Sequence, residues 1–257
     1  MKQPIQTFLR TLGFRLVRLE NAASPEHARS PLDSFFSSLK ERGFAPRDVV
    51  DVGANHGSWT RTALRYFPDA YFTLVEPQDH LRIDVQDLLA RGGRVQWISA
   101  AASDKIGTLP LTISRPDDSS RFILTPEAVK VFGGFRVREV EVPVTTLNEI
   151  VRASNLPSPD KVKIDAERFD LRVLAGASEL IGKTDIFLLE ATVCARDAGQ
   201  GIFENSLGNV IQTMDRAGYR IFDITDLNRS PKHGFLWLCE VAFLRKASRL
   251  LDGVTYE

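Results

Sequence analysis

Two cysteines in 257 residues, Cys194 and Cys239, are too few for a disulfide framework, and no CxxC offers a metal clamp or a redox pair. Both lie in apolar runs that read as strands, so buried free thiols in a reducing compartment, and a cytoplasmic location, are expected. No apolar run reaches 18 residues, which argues against a membrane-spanning helix. The opening MKQPIQTFLRTLGFRLVRLE has neither an uninterrupted apolar core nor a small-residue cleavage site, so no signal peptide is expected. Charge of one sign is not in excess either. Lys plus Arg and Asp plus Glu both total 33, so no global field draws the chain to nucleic acid or acidic lipid. An (N/D)PP(Y/F) tetrapeptide is also missing, Pro157–Asp160 being PSPD, which speaks further against nucleic-acid methylation.

What is present is ordinary globular composition, 43% hydrophobic and 26% charged, enough for one large α/β domain with an appendage. Residues 5–20 place Phe8, Leu12, Leu16 and Leu19 at helical spacing among arginines. They predict an amphipathic helix that caps the main domain or pairs two copies into a homodimer, with a basic membrane-surface helix as the alternative. Residues 21–31 read as a linker and 32–43 as a second helix, so 1–45 form a helical extension to a domain over 46–257. From Pro46 the chain alternates: strand 49–53, helix 58–67, strand 71–77, helix 79–92, strand 94–103. This rhythm predicts a parallel sheet with helices on both faces. Period-two alternation over 107–115 and 135–147 then predicts an antiparallel β insertion, about 107–145, with a Ser-rich loop inside it. Helices at 146–155, 168–182 and 205–218 and strands at 161–165 and 185–192 follow. Runs 219–224 and 234–246 pair as terminal strands.

The stretch DVVDVGANHGSWT, 48–60, ends a buried strand on a glycine-punctuated loop. Strand, glycine loop and helix in that order aim helix amides at a ligand above the sheet, and glycine lets the ligand approach the backbone. A dinucleotide fingerprint would need glycine where Asn55 and Ser58 stand, and a P-loop would need GK[ST]. Asp51, just inside the loop, suits a cationic ligand better than a phosphate. Glu76 ends the next strand, where an acidic residue accepts both hydroxyls of a ribose. Together they point to a nucleoside with a cationic, phosphate-free tail, which S-adenosylmethionine fits.

Three blocks extend this. DVGANHGSWT with LVEPQ, SAAASDKIG, and VKIDAERFDLRVLAGASELI with FLLEAT resemble the class I S-adenosylmethionine-dependent methyltransferases, and more narrowly the FkbM family, over most of 48–192. The resemblance implies a Rossmann-like, doubly wound, mostly parallel seven-stranded sheet and an O-methyltransferase acting on a sugar or small metabolite, with a glycan or small-molecule acceptor. It implies that Asp51, Gly53, Ala54, Asn55 and Gly57 bracket the methionine end, that Glu76 and Pro77 hold the ribose side, and that Ala102, Ser103 and Asp104 meet the adenine. It maps Asp165 and Glu167 to the end of strand four, facing the methyl group. Arg168 stands where members carry glycine, and Asn148 where they carry aspartate; a cofactor-binding but catalytically lapsed interaction module is the rival reading.

Methyl transfer from a sulfonium needs alignment and desolvation, and an alcohol acceptor needs a base. Candidates are Asp165, Glu167, Glu190, His56 and His233. Asp165 and Glu190, with Glu167, end adjacent strands and could hold a divalent cation that acidifies the hydroxyl. Arg121, Arg136 and Arg138 flank the insertion, where they are solvated or grip an anionic sugar.

Overall fold

The computed structural model describes residues 30–114, 121–122, 136–154, 157–194 and 205–255. The helix expected over 5–20, most of the Ser-rich loop and the segment 195–201 lie outside the described residues.

In chain order the elements begin with α1 (Pro31–Glu41), β1 (Asp48–Val52), α2 (Ser58–Tyr66), β2 (Tyr71–Val75), α3 (Gln86–Leu89) and β3 (Val95–Ile98). Then come β4 (Ala101–Ala102), β5 (Gly107–Ser114), β6 (Arg121–Phe122), β7 (Arg136–Thr145), α4 (Leu147–Ser154) and β8 (Lys161–Ile164). The last are α5 (Asp170–Ala175), β9 (Ile186–Thr192), α6 (Leu207–Arg216), β10 (Tyr219–Arg229) and β11 (Leu236–Arg245).

A seven-stranded sheet runs in the order β10-β11-β9-β8-β1-β2-β3. The five strands from β9 to β3 are parallel, and β11 enters antiparallel between β9 and β10. Parallel strands are apolar on both faces because helices cover both. On one face α4, α5 and α6 set Leu147, Val173 and Met214 against Val50, Val162 and Phe187. On the other, α1, α2 and α3 set Phe35, Phe36, Leu64 and Leu88 against Val49, Phe72 and Leu188. The expected doubly wound sheet is therefore present, and α1 packs into its core. Strand order reverses at β1, with β2 on one side and β8 on the other, and ligands of such sheets bind at the carboxyl ends of the strands at this point.

The run 94–103 reads as one strand but serves two sheets. The Ile98 carbonyl accepts from Glu76 N at 3.1 Å and from Ala100 N at 2.9 Å. The second bond closes a three-residue turn at Ser99, which sends β4 into a separate sheet of order β4-β7-β5-β6. There β5 and β7 pair antiparallel, as the alternation predicts, over a small core of Ala101, Leu111, Ile113, Val142 and Val144. Two expected helices are shorter than their patterns. Residues Asp79–Val85 form a 3₁₀ helix ahead of α3. The 168–182 helix is α5 only, followed by turns; at its end a Cβ on Gly176 would stand 2.0 Å from the Ser103 carbonyl oxygen. Cys239 is buried in β11, whereas Cys194, expected to be buried, is exposed just past the end of β9. Among the described residues no helix is long and apolar enough to cross a membrane.

Candidate functional site

At the carboxyl ends of β1, β2 and β8, and under the second sheet, lies a cavity of about 350 Å³. Its wall includes Gly53, Ala54, Asn55, His56, Glu76, Pro77, Ala102, Asp165 and Glu167, which brings most of the expected residues to one place. Val75, Trp59, Leu111 and Ala100 give it an apolar lining, the mixture of a few polar groups in an apolar wall that small-molecule sites use.

The glycine loop is built for close approach. Gly53 has φ +71°, and a Cβ there would lie 1.8 Å from the Asp165 carbonyl oxygen. Only glycine lets the exit of β1 touch the exit of β8. Gly53 and Ala54 donate to the Val75 carbonyl at 2.9 and 3.3 Å, so the loop is also tied to β2. Asn55 takes φ +45° and Gly57, at the head of α2, φ +74°. Gly57 does not line the cavity; it packs against Val85 and Leu88, whose side chains would meet a Cβ at 2.8 Å.

Glu76 is fixed by backbone donors. Asn55 N reaches Oε2 at 3.0 Å and Gln78 N reaches Oε1 at 2.9 Å. Burial raises its pKa, while those two N–H groups and Lys163 pull it back. The Gln78 side chain adds a further hydrogen bond to this carboxylate, which stands on the cavity wall.

Asp51 lies below the cavity floor and is 0% exposed. Thr60 Oγ1 donates to its Oδ2 at 2.6 Å, and Lys163 Nζ lies 3.3 Å from its Oδ1. The resemblance implies that Asp51 contacts a ligand; in the structure its carboxylate is held by Thr60 and Lys163. Lys163 lines the cavity. Its Nζ donates to the Gly53 carbonyl at 3.1 Å and lies 3.2 Å from Asp165 Oδ2. Burial works against its charge, but Asp165 and Asp51, with Glu240 behind them, outweigh that and hold the pKa above the ordinary lysine range. A buried strand normally excludes charge, so KVKI inside a parallel sheet is itself the signal that this lysine has partners.

The turn after β8 carries Glu167 at φ +50° and Arg168 at φ +79°. With Asn55 these are the three described non-glycine residues with positive φ, and all sit in loops of this site. The glycine that the family keeps at the Arg168 position thus has a backbone reason. Here Asp170 staples the turn, accepting from Arg168 N at 3.1 Å, Ala166 N at 3.4 Å and Asn205 Nδ2 at 3.0 Å. Burial, with Asp165 and Glu167 nearby, pushes the Asp170 carboxyl up to about 8. Burial and the same carboxylates, with Asp170, push Glu190 well above the usual range.

Glu190 lies opposite Glu240 on β11, outside the cavity wall. Among the described residues no three His, Cys, Asp or Glu side chains are grouped to hold a metal ion, and the cation between Asp51 and Asp165 is the Lys163 ammonium. Ser103 is buried and donates to Asp104 Oδ1 at 3.0 Å; Asp104 is exposed, and neither lines the cavity. His233 is on the turn between β10 and β11, stacked on Phe235 at 6.2 Å, and does not line the cavity: β9 stands between that hairpin and β8. His56 is on the wall, with Nδ1 2.8 Å from Asp84 Oδ2.

A family model described as the methyltransferase FkbM domain matches residues 51–221. No curated protein matches the sequence. Among solved structures, a Klebsiella pneumoniae protein described provisionally as an O-methyltransferase shares 12% identity over 95% of this chain and 97% of its own, with a TM-score of 0.50. A precorrin-6y C5,15-methyltransferase from Geobacter metallireducens covers 87% of this chain and 92% of its own at 12% identity, TM-score 0.44. A Burkholderia thailandensis 1,6-didemethyltoxoflavin-N1-methyltransferase, solved with S-adenosylhomocysteine, covers 88% and 81% at 13% identity, TM-score 0.44. These identities speak to the fold alone.

Proposed function

Because the chain belongs to the FkbM methyltransferase family, we propose that this cavity binds S-adenosylmethionine and that the protein methylates a hydroxyl of a sugar or another small metabolite. One observation carries the reading: Glu76, held by two backbone N–H groups at the end of β2, shares a wall with the Gly53 loop and with Asp165 and Glu167. The residues present fit that ligand: Gly53 lets the β1 loop close onto the Asp165 backbone, where a Cβ would stand 1.8 Å from the carbonyl oxygen, and the lining is apolar where a nucleobase would sit, around Ala100, Ala101 and Ala102.

In this reading Glu76 takes the ribose hydroxyls, Asn55 and Pro77 flank the nucleoside, and Ala102 and its neighbours meet the adenine. The bound sulfonium supplies an electrophilic methyl group. The protein's own part is to align, to exclude water and to take the hydroxyl proton. Alignment of that kind is worth on the order of 7–11 kcal/mol. Asp165 and Glu167 are the carboxylates on the wall for the proton, a role worth about 10²–10⁴ in rate.

The test is a thermal-shift titration with S-adenosylhomocysteine, followed by radiolabelled methyl transfer to a panel of sugars and metabolites. At about 100 times the Kd, binding should add roughly 2.7 kcal/mol, a rise in Tm of about 5–10 °C for a chain of this size. Glu76→Ala should remove most of that rise. A wild-type protein whose Tm does not respond to either cofactor form would end this reading.

A further inference from the structure

A wall that receives a cation has to set its own charge. Asp51, under this cavity, and Asp165, on its wall, are two carboxylates with one ammonium, Lys163, between them. Lys163 is 4% exposed. Its neighbours in β8, Val162 and Ile164, are apolar, so a methionine would fill the strand position as well. What lysine adds is the charge and the hydrogen bond to the Gly53 carbonyl at 3.1 Å.

Resting on the methyl-donor reading, we propose that Lys163 is a positioning residue that sets how strongly the cavity prefers the cationic donor over its neutral product. The two ligands differ by one charge at sulfur. In the transfer the acceptor oxygen's lone pair forms the new C–O bond, the S–CH₃ bond breaks, its electron pair stays on sulfur, and the hydroxyl proton passes to a carboxylate. Sulfur enters positive and leaves neutral. A floor carrying two uncompensated carboxylates would grip the sulfonium and let the thioether go. Tight holding of the ground state does nothing for the chemical step. Beside the Glu76 and Glu167 carboxylates of the wall, Lys163 cancels one of the two charges of Asp51 and Asp165, and the discrimination is smaller.

The experiment is calorimetric titration of the full chain with S-adenosylmethionine and, separately, with S-adenosylhomocysteine. It compares the wild type with Lys163→Met, Lys163→Arg and Asp51→Asn. The readout is the ratio of product Kd to donor Kd. Lys163→Met should raise it roughly tenfold, the size of one unit charge acting through a partly solvated interior. Lys163→Arg should leave it unchanged. Asp51→Asn, which removes one negative charge, should move it in the opposite direction. A purely structural role would weaken both ligands together and leave the ratio fixed in every variant, and that result overturns the proposal. If Lys163→Met does not fold, the Asp51→Asn ratio decides alone: a fall supports the charge assignment, no change rejects it. Wild-type protein that binds neither ligand overturns the methyl-donor reading itself, and this assignment with it.

Discussion

Strand β8 holds two lysines on the same face, two residues apart, in opposite surroundings. Lys163, at the carboxyl end, has its Nζ 3.1–3.3 Å from a carbonyl and two carboxylate oxygens. Lys161, at the other end, is 0% exposed and has no hydrogen-bond partner at Nζ among the described residues. Its neighbours are rings: Phe36 at 3.8 Å from Nζ to the ring centre, Trp59 at 4.7 Å and Phe35 at 5.0 Å. Burial pushes the Lys161 pKa well below the ordinary value, against the pull of Glu240 and Asp51, while Lys163 is held above it. Depth is therefore not what decides the charge of a buried lysine here. Contact with oxygen decides it, and oxygen is concentrated where strands end and a ligand can sit. Ring faces do attract a cation, but they offer no acceptor for its three N–H bonds.

The largest expected effect comes from breaking the oxygen-rich side. Asp51→Ala leaves Lys163 with one carboxylate and the Thr60 hydroxyl without its acceptor. Unpairing a buried charge costs on the order of 3 kcal/mol, read as a drop in the midpoint of urea denaturation at neutral pH. A loss below about 0.5 kcal/mol would mean that the pair behaves as a surface ion pair, and the contrast with Lys161 would fail.

The ring-lined side should respond with the other sign. Lys161→Met keeps length and removes an amine that has nothing to bond to, so it should stabilise the protein by about 1–2 kcal/mol. The pH dependence identifies the cause. With its folded pKa depressed, Lys161 binds a proton more weakly in the folded chain than in the unfolded one. Wild-type stability should therefore rise as pH climbs toward the ordinary lysine value of about 10.4. Lys161→Met should lack that part of the rise. Equal slopes in the two proteins would show that Lys161 keeps its proton among the rings.

Much of this architecture is legible in the sequence, and the exceptions have physical reasons. The order of strands and helical segments from Val49 to Trp97 reads correctly because apolar runs and glycine breaks are local, although the segment over 79–92 is largely a 3₁₀ helix. The division of 94–103 between two sheets is not local: Ala101 and Ala102 look the same whichever strand they pair with, and the turn at Ser99 depends on the Ile98 carbonyl shared with Glu76. At the site, Glu76 and the Gly53 loop follow from spacing. The loop alone shows Asp51 only as a carboxylate, whereas its partners Thr60 and Lys163 come from α2 and β8. Residue type alone makes His233 a candidate base, and only tertiary structure shows it on a hairpin turn beside Phe235. Lys163 was open to sequence reasoning, since a charge in a four-residue buried strand has to be paired.

The smallest expected effect concerns Glu240, whose charge both lysines feel. It sits on β11, accepts a hydrogen bond from Thr225 Oγ1, and burial raises its carboxyl to about 7. Its folded pKa exceeds its unfolded one, so the folded chain holds this proton to higher pH. Stability is then lost as pH rises from about 4.5 to about 7, and the penalty is complete above that. Glu240→Gln should remove this loss, worth on the order of 1 kcal/mol once discounted for a side chain that is only partly covered. The comparison is between the denaturation midpoints of the two proteins at pH 5 and pH 8. It also sharpens the contrast between the lysines. Glu240 is the first-ranked attraction keeping a proton on Lys161, but only the third on Lys163. Removing its charge should move the alkaline rise attributed to Lys161 to still lower pH, and leave the product-to-donor ratio governed by Lys163 nearly where it was. If the substitution shifts that ratio as strongly as Lys163→Met, the two ends of β8 belong to one electrostatic unit and the division between ligand floor and core does not exist.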